Sequence, residues 1–251
     1  MANIKRIWNA TDGLMNLKSI FYRLSTVYGE IGILGIAKRL SNRVLGRLDD
    51  WTKRKIATDL AFDSAHNVET AGTDRVYGMR VVGGNVRHAK AHEATNPVDL
   101  IRALDECSLD LSRFTFIDLG SGKGRALLLA KNYPFKRIIG VEFAAELHNI
   151  ALANIAMAGD ERFELINDDA ASFEFPDGPL LIYMFNPFGP AVARPVATKL
   201  MECWREAPRP IQIIYLNPTC LSEWIDAGWT VTRSDSPALL ESPALQVVET
   251  T

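Results

Sequence analysis

The residues best placed to do chemistry form one run, Phe116-Ile117-Asp118-Leu119-Gly120-Ser121-Gly122-Lys123-Gly124-Arg125, in which an apolar stretch leads into glycines at alternate positions. Glycines let a backbone take positive φ and pass close to a ligand, and a helix that starts there presents unpaired N–H groups. A nucleotide-like ligand suits such a turn. Arg125 stands where a dinucleotide fingerprint requires its third glycine, and Lys123 is followed by Gly124 rather than Ser or Thr. The first fact argues against a pyrophosphate and the second excludes a triphosphate loop. Asp118 ends the apolar stretch, where its carboxylate can accept hydrogen bonds from a cationic ligand. The next apolar segment ends in Glu142, 22 residues after Gly120, and suits two ribose hydroxyls. A third ends in Asn167-Asp168-Asp169-Ala170, which puts an acid where an adenine amine would donate.

These residues need a sheet whose strands all end on one edge, and the pattern supplies it. Strands are predicted at Thr115–Leu119, Arg137–Glu142, Phe163–Asn167, Leu180–Phe185, Ile211–Leu216, Thr230–Arg233 and Gln246–Glu249. Helices are predicted at Lys123–Lys131, Ala144–Ala158, Ala191–Trp204 and Leu221–Ala227, and a further helix starts at Asn96-Pro97. Strands this apolar, alternating with helices, specify an α/β fold with a mostly parallel, doubly wound sheet covered on both faces. Upstream, Ile4 to Leu60 carries apolar residues at spacings of three and four, so an N-terminal helical extension is expected. Asp63 to Gly84 turns polar and glycine-containing, which marks a connector. The division expected is residues 1–75 for extension and connector and 76–251 for the main domain.

The glycine motif with its three strand-end acids resembles the class I S-adenosylmethionine (SAM) dependent methyltransferase family over roughly Asn96 to Thr251. The resemblance implies a Rossmann-like sheet of seven strands. It also implies SAM as cofactor, held by Asp118, Gly120, Ser121, Gly122, Gly124, Glu142, Asp168, Asp169 and Ala170. In that family one antiparallel strand is inserted near an edge, a role that falls to the closing pair around Val231 and Val247. The run Tyr183-Met184-Phe185-Asn186-Pro187-Phe188-Gly189-Pro190 is similar to the fourth motif of the amino-methyltransferases, with its second proline absent. By that resemblance Asn186 and Pro187 offer oxygens to a target nitrogen while Phe188 packs on it. Asn-Pro also occurs at Asn96 and Asn217, where it reads as turn punctuation, so Asn186 stands between a substrate-facing and a structural reading. The stretch His92-Glu93-Ala94-Thr95-Asn96-Pro97, with Tyr77-Gly78 before it, resembles the loop covering SAM in protein-lysine and histone-type methyltransferases. It brings Thr95 to the cofactor if it is a lid and nothing if it is a plain connector. His88 and His92 lack an accompanying ligand set and read as a solvated pair, so no metal is expected.

The 251 residues, 47% hydrophobic, can build one sizeable core plus an appendage. Residues 1–60 hold 11 Lys/Arg against 5 Asp/Glu and the remainder 17 against 25, so a basic extension precedes an acidic domain. A duplex-binding face is therefore expected only on the extension, whose basic side could also meet a membrane surface, a partner or the main domain. The absence of an ~18-residue apolar run and of a signal-peptide pattern leads to a cytoplasmic expectation. Cys107, Cys203 and Cys220 form no CxxC pair and read as reduced thiols. The activity expected is methyl transfer from SAM to a nitrogen of a protein side chain or small amine. The alternatives are an oxygen or other small-molecule acceptor, or a silent SAM-binding partner subunit.

Overall fold

The computed structural model describes residues 49–243, and the chain divides into two compact units, 1–74 and 75–251. In the first unit, helix α1 (Asp50–His66) starts at Asp49, whose carboxylate accepts from the Thr52 N–H at 2.8 Å and from its hydroxyl at 2.8 Å. Such a cap satisfies donors that a helix start leaves open. The helix runs past Asp63, where the sequence suggested a connector. There the buried Asp63 carboxylate accepts from the Thr70 N–H and hydroxyl and from the Ala71 N–H, so the polar residue is the anchor of the turn that follows. Most of the extension expected from Ile4 lies outside the described residues.

The second unit is built on a seven-stranded sheet. Its strands are β1 (Thr115–Leu119), β2 (Arg137–Val141), β3 (Phe163–Ile166), β4 (Leu180–Phe185), β5 (Ile211–Leu216), β6 (Thr230–Arg233) and β7 (Ala238–Glu241). They lie in the order β3-β2-β1-β4-β5-β7-β6, and β1 to β5 are all parallel. β7 runs antiparallel to both β5 and β6. The inserted antiparallel strand is thus Ala238–Glu241, and the Gln246–Glu249 segment expected for it lies outside the described residues. Ala238–Glu241 is four residues between Pro237 and Ser242-Pro243, a run too short and too punctuated to read as a strand from periodicity.

Helices α2 (Pro97–Asp105), α3 (Arg125–Ala130), α4 (Ala145–Ala156), α5 (Pro190–Glu206) and α6 (Leu221–Ala227) accompany the sheet. Asn96 caps α2 by accepting from the Val98 N–H, with Pro97 in the first turn. The main core joins alternate residues of the central strands, Ile117 and Leu119, Leu180, Ile182 and Met184, to Val192, Val196 and Leu200 of α5 and Trp224 of α6. Each such fully buried side chain contributes about 1.5–3 kcal/mol. Strand order reverses between β1 and β4, so the connections leaving their carboxyl ends diverge and open a crevice at that edge. Among the described residues no helix is long and apolar enough to cross a membrane.

Candidate cofactor and acceptor site

The glycine turn follows β1 into that crevice. Gly120, Gly122 and Gly124 all have positive φ, and α3 starts only at Arg125, later than the periodicity suggested. A Cβ on Gly124 would meet Ala151 Cβ of α4 at 3.4 Å, an ordinary packing distance, so it is the φ of 86° that calls for glycine there. Gly122 lies directly under the His92 ring, and any Cβ there would overlap it.

Four acids from three strand ends reach one cavity that opens to solvent: Asp118, Glu142, Asp168 and Asp169. Glu142 is buried, and its two oxygens accept from the Gly122 N–H at 2.8 Å and the Ala144 N–H at 2.9 Å. It therefore ties the glycine turn to the end of β2, and each oxygen keeps a lone pair for a ligand hydroxyl. Asp169 accepts from Asn85 Nδ2 at 2.7 Å and from the Ala171 N–H at 3.0 Å. Burial pushes the Asp118 carboxyl well above the usual range, and the neighbouring Glu142 charge adds to it. Burial raises Glu142 as well, opposed by the N–H groups of Ala144, Gly122 and Phe143. A cation entering this cavity would favour the ionised acids.

The segment 75–95 forms a roof across these strand ends. Val82 donates to the Phe143 carbonyl, the Arg80 carbonyl accepts from Ala145, and the Arg80 guanidinium pairs with Glu146 beyond β2. Asn85 sits on Asp169 beyond β3 and His92 on Gly122 beyond β1. Beyond β4 the Lys90 N–H donates to the Pro187 carbonyl at 3.0 Å, and the Gly189 N–H donates to the His88 carbonyl at 2.8 Å. The roof closes at Thr95, whose hydroxyl shares a 2.9 Å hydrogen bond with the buried Tyr183 hydroxyl and whose carbonyl accepts from buried Arg125. Burial and the Asp118 charge push the Tyr183 hydroxyl well above its ordinary range, while the Thr95 bond works the other way.

Of the residues singled out in the sequence, Asp118, Gly120, Ser121, Glu142, Asp168, Asp169, Ala170, Thr95, Pro187 and Phe188 line this one cavity. Gly122, Gly124 and Asn186 do not; the two glycines shape its floor. Asn186, between Phe185 and Pro187 on the cavity wall, takes φ 41° and turns its side-chain oxygen to the Thr219 hydroxyl. Phe188 is buried in the main core as well as lining the cavity. His92 belongs to the site and is not one of a solvated pair, whereas His88 is exposed. Among the described residues no group of three or more His, Cys, Asp or Glu is placed to hold a metal. Asn85, His92, Arg125 and Tyr183 were missed as site residues; His92, Arg125 and Tyr183 stand inside stretches already marked, which was the available signal.

No family model matches the chain. Among solved structures, it is similar to a predicted N6-adenine-specific DNA methylase from Listeria monocytogenes, with a TM-score of 0.47 and 15% identity over 68% of this chain and 56% of that one. It is also similar to a SAM dependent methyltransferase from Aquifex aeolicus, with a TM-score of 0.43 and 18% identity over 57% of this chain and 87% of that one. A geranyl diphosphate methyltransferase bound to sinefungin gives a TM-score of 0.44 and 12% identity, over 54% of this chain and 59% of that one. The chain thus spans little more than half the length of the first. At these identities the likeness is one of fold alone.

Proposed function

We propose that this chain is a class I SAM-dependent methyltransferase that transfers a methyl group to a nitrogen. The observation that carries this reading is the single cavity in which the glycine turn meets Asp118, Glu142 and Asp169, each from a different strand end, beside the Pro187–Phe188 turn of a fourth. Asp118 would hold the amino-acid end of the cofactor through its ammonium, Glu142 the ribose and Asp169 the adenine amine. Bound there, SAM supplies an electrophilic methyl on a sulfonium whose departure needs no protein nucleophile.

The chain's own part is alignment and exclusion of water, which can supply several kcal/mol of the barrier reduction. The roof from Val82 to Thr95 does the excluding, because its contacts span the ends of β1, β2, β3 and β4. The turn after β4 does the aligning. Thr219 fixes the Asn186 carboxamide, and the carbonyl of the cavity-lining Pro187 lies one residue on. An amide or peptide oxygen has two lone pairs, so each can still accept from a target nitrogen while keeping its bond within the chain.

Incubation of the full chain with methyl-labelled SAM and fractions of a cell lysate tests this directly. Label should appear in at least one of the protein, nucleic-acid and small-amine fractions, and should disappear when Asp118 is replaced by Ala. Absence of label from every fraction, with the cofactor demonstrably bound, would leave a binding module instead of an enzyme.

A further inference from the structure

We propose that the acceptor is a single-stranded nucleic acid whose phosphates are tracked by Arg87 and Lys90 on the acceptor end of the roof. This rests on the methyltransferase reading and names its substrate class. Charge is segregated along the carboxyl edge of the sheet. Beyond β2 and β3 the loops carry Glu142, Glu146, Asp168 and Asp169. Beyond β4 and β5, residues 186–193 and 217–222 contain neither Asp nor Glu, or any charge, apart from the buried Glu223 that follows the second segment.

The roof lies over this edge with the opposite sign. Residues 75–92 contain Arg75, Arg80, Arg87 and Lys90 and no acid, in a unit where residues 93–251 hold 22 Asp/Glu against 13 Lys/Arg. Arg80 is held at the cofactor end by Glu146. Arg87 and Lys90 are exposed, and the backbone between them is fixed to the Pro187–Gly189 turn through the His88 carbonyl and the Lys90 N–H. Lys90 also reaches the cavity wall. Glu93 lies further along the roof, and Asp235 of the β6–β7 turn faces Arg233 at 3.9 Å. Neither lies on the turns that flank Arg87 and Lys90.

This arrangement discriminates among acceptors. A lysine or arginine side chain, or a small amine, arrives positively charged and finds no acid on the loops after β4 and β5 to receive it. A nucleotide carries a phosphate on either side of its base, so cations on the rim and the uncharged walls that the β4 turn and α5 give to this end of the cavity match it. Phe185, Pro187, Phe188 and Val192 supply those walls. A base nitrogen within a duplex cannot reach a walled cavity of this kind without leaving the stack, a cost that is least for an unpaired strand. Thr219 and Asn217, exposed on the turn after β5, are neutral donors and acceptors.

The test is fluorescence anisotropy of the full chain with a labelled mixed-sequence 15-nucleotide single strand, as RNA and as DNA, at several salt concentrations. Each phosphate contact on a single strand contributes about 0.7 to the slope of log affinity against log salt. The Arg87→Ala/Lys90→Ala variant should therefore lose about 1.4 of that slope and about tenfold in affinity near 0.15 M salt, whatever the extension adds to both proteins. Unchanged slope and affinity in the variant would overturn the proposal. So would a duplex that binds more tightly than the strand, or a polyglutamate chain of equal charge that competes as well as the oligonucleotide, which would mark an acidic protein partner. S-adenosylhomocysteine titrated into the unsubstituted chain separates the two readings: its failure to bind would refute the methyltransferase, while loss of the salt-slope difference would refute only the rim.

Discussion

Replacing Gly120 with Ala should damage the proposed cofactor and acceptor sides together, because Gly120 is where the glycine turn meets the turn after β4. Its φ is +81°, a region that costs an L-residue about 1–2 kcal/mol. A Cβ there would also stand 2.5 Å from Pro187 Cβ, against the 3.5–4.0 Å at which carbons normally pack. Pro187 cannot yield freely, since its ring is rigid and its carbonyl holds the Lys90 N–H. Overpacking of this kind costs about 1–3 kcal/mol. The sum, about 2–5 kcal/mol, should appear in denaturant unfolding of the variant, with a weaker affinity for S-adenosylhomocysteine by calorimetry. Pro187→Gly removes the opposing Cβ, so Gly120→Ala/Pro187→Gly should recover the steric share and leave the backbone share. The double-mutant cycle should show a favourable coupling of about 1–3 kcal/mol. Strictly additive effects would refute the contact between glycine turn and acceptor turn.

Asp118 should couple cofactor binding to protons. Its pKa is raised by burial in the free protein, so a cationic ligand that favours the carboxylate must release protons. Affinity should rise as pH rises towards that raised pKa and level off above it, and calorimetry in buffers of different ionisation heats should register the release; no proton linkage would contradict it. Asn186→Gly should keep more methyl transfer than Asn186→Ala if the φ of 41° is what matters, whereas equal losses of about thirtyfold or more would assign the effect to the carboxamide. Deletion of residues 1–74 should leave a folded domain that binds S-adenosylhomocysteine, because among the described residues nearly all of the buried apolar core lies beyond residue 75. A molten near-ultraviolet circular dichroism spectrum of the truncated chain would contradict this.

What could be read from the sequence follows what is local. β1, β4, β5, β6 and α6 lie at the residues predicted for them, since each is a short apolar or periodic run with clear turn residues at its ends. The acids Asp118, Glu142 and Asp169 were legible because a parallel strand ends where its apolar run stops. The roof was only partly legible. It has no period, and its anchors, Asn85 on Asp169 and Thr95 on Tyr183, join residues 84 and 88 positions apart. The second Asn-Pro turn shows the limit best. Asn217 reads as punctuation, yet the pairing of Phe185 with Leu216 sets it beside Asn186, and both take positive φ. From that neighbouring turn comes Thr219, the residue that holds Asn186, and no local pattern announces a bond between the ends of adjacent strands.

Calorimetric titration of the full chain with SAM, S-adenosylhomocysteine and NAD tests the central claim most directly. SAM and S-adenosylhomocysteine should each bind one to one, and Asp118→Ala should weaken SAM by roughly tenfold to a hundredfold, the loss of one charge-assisted contact of about 1.5–3 kcal/mol. NAD should not bind, since position 125 is arginine and the fingerprint's third glycine is absent. Binding of NAD with none of SAM would contradict the assignment.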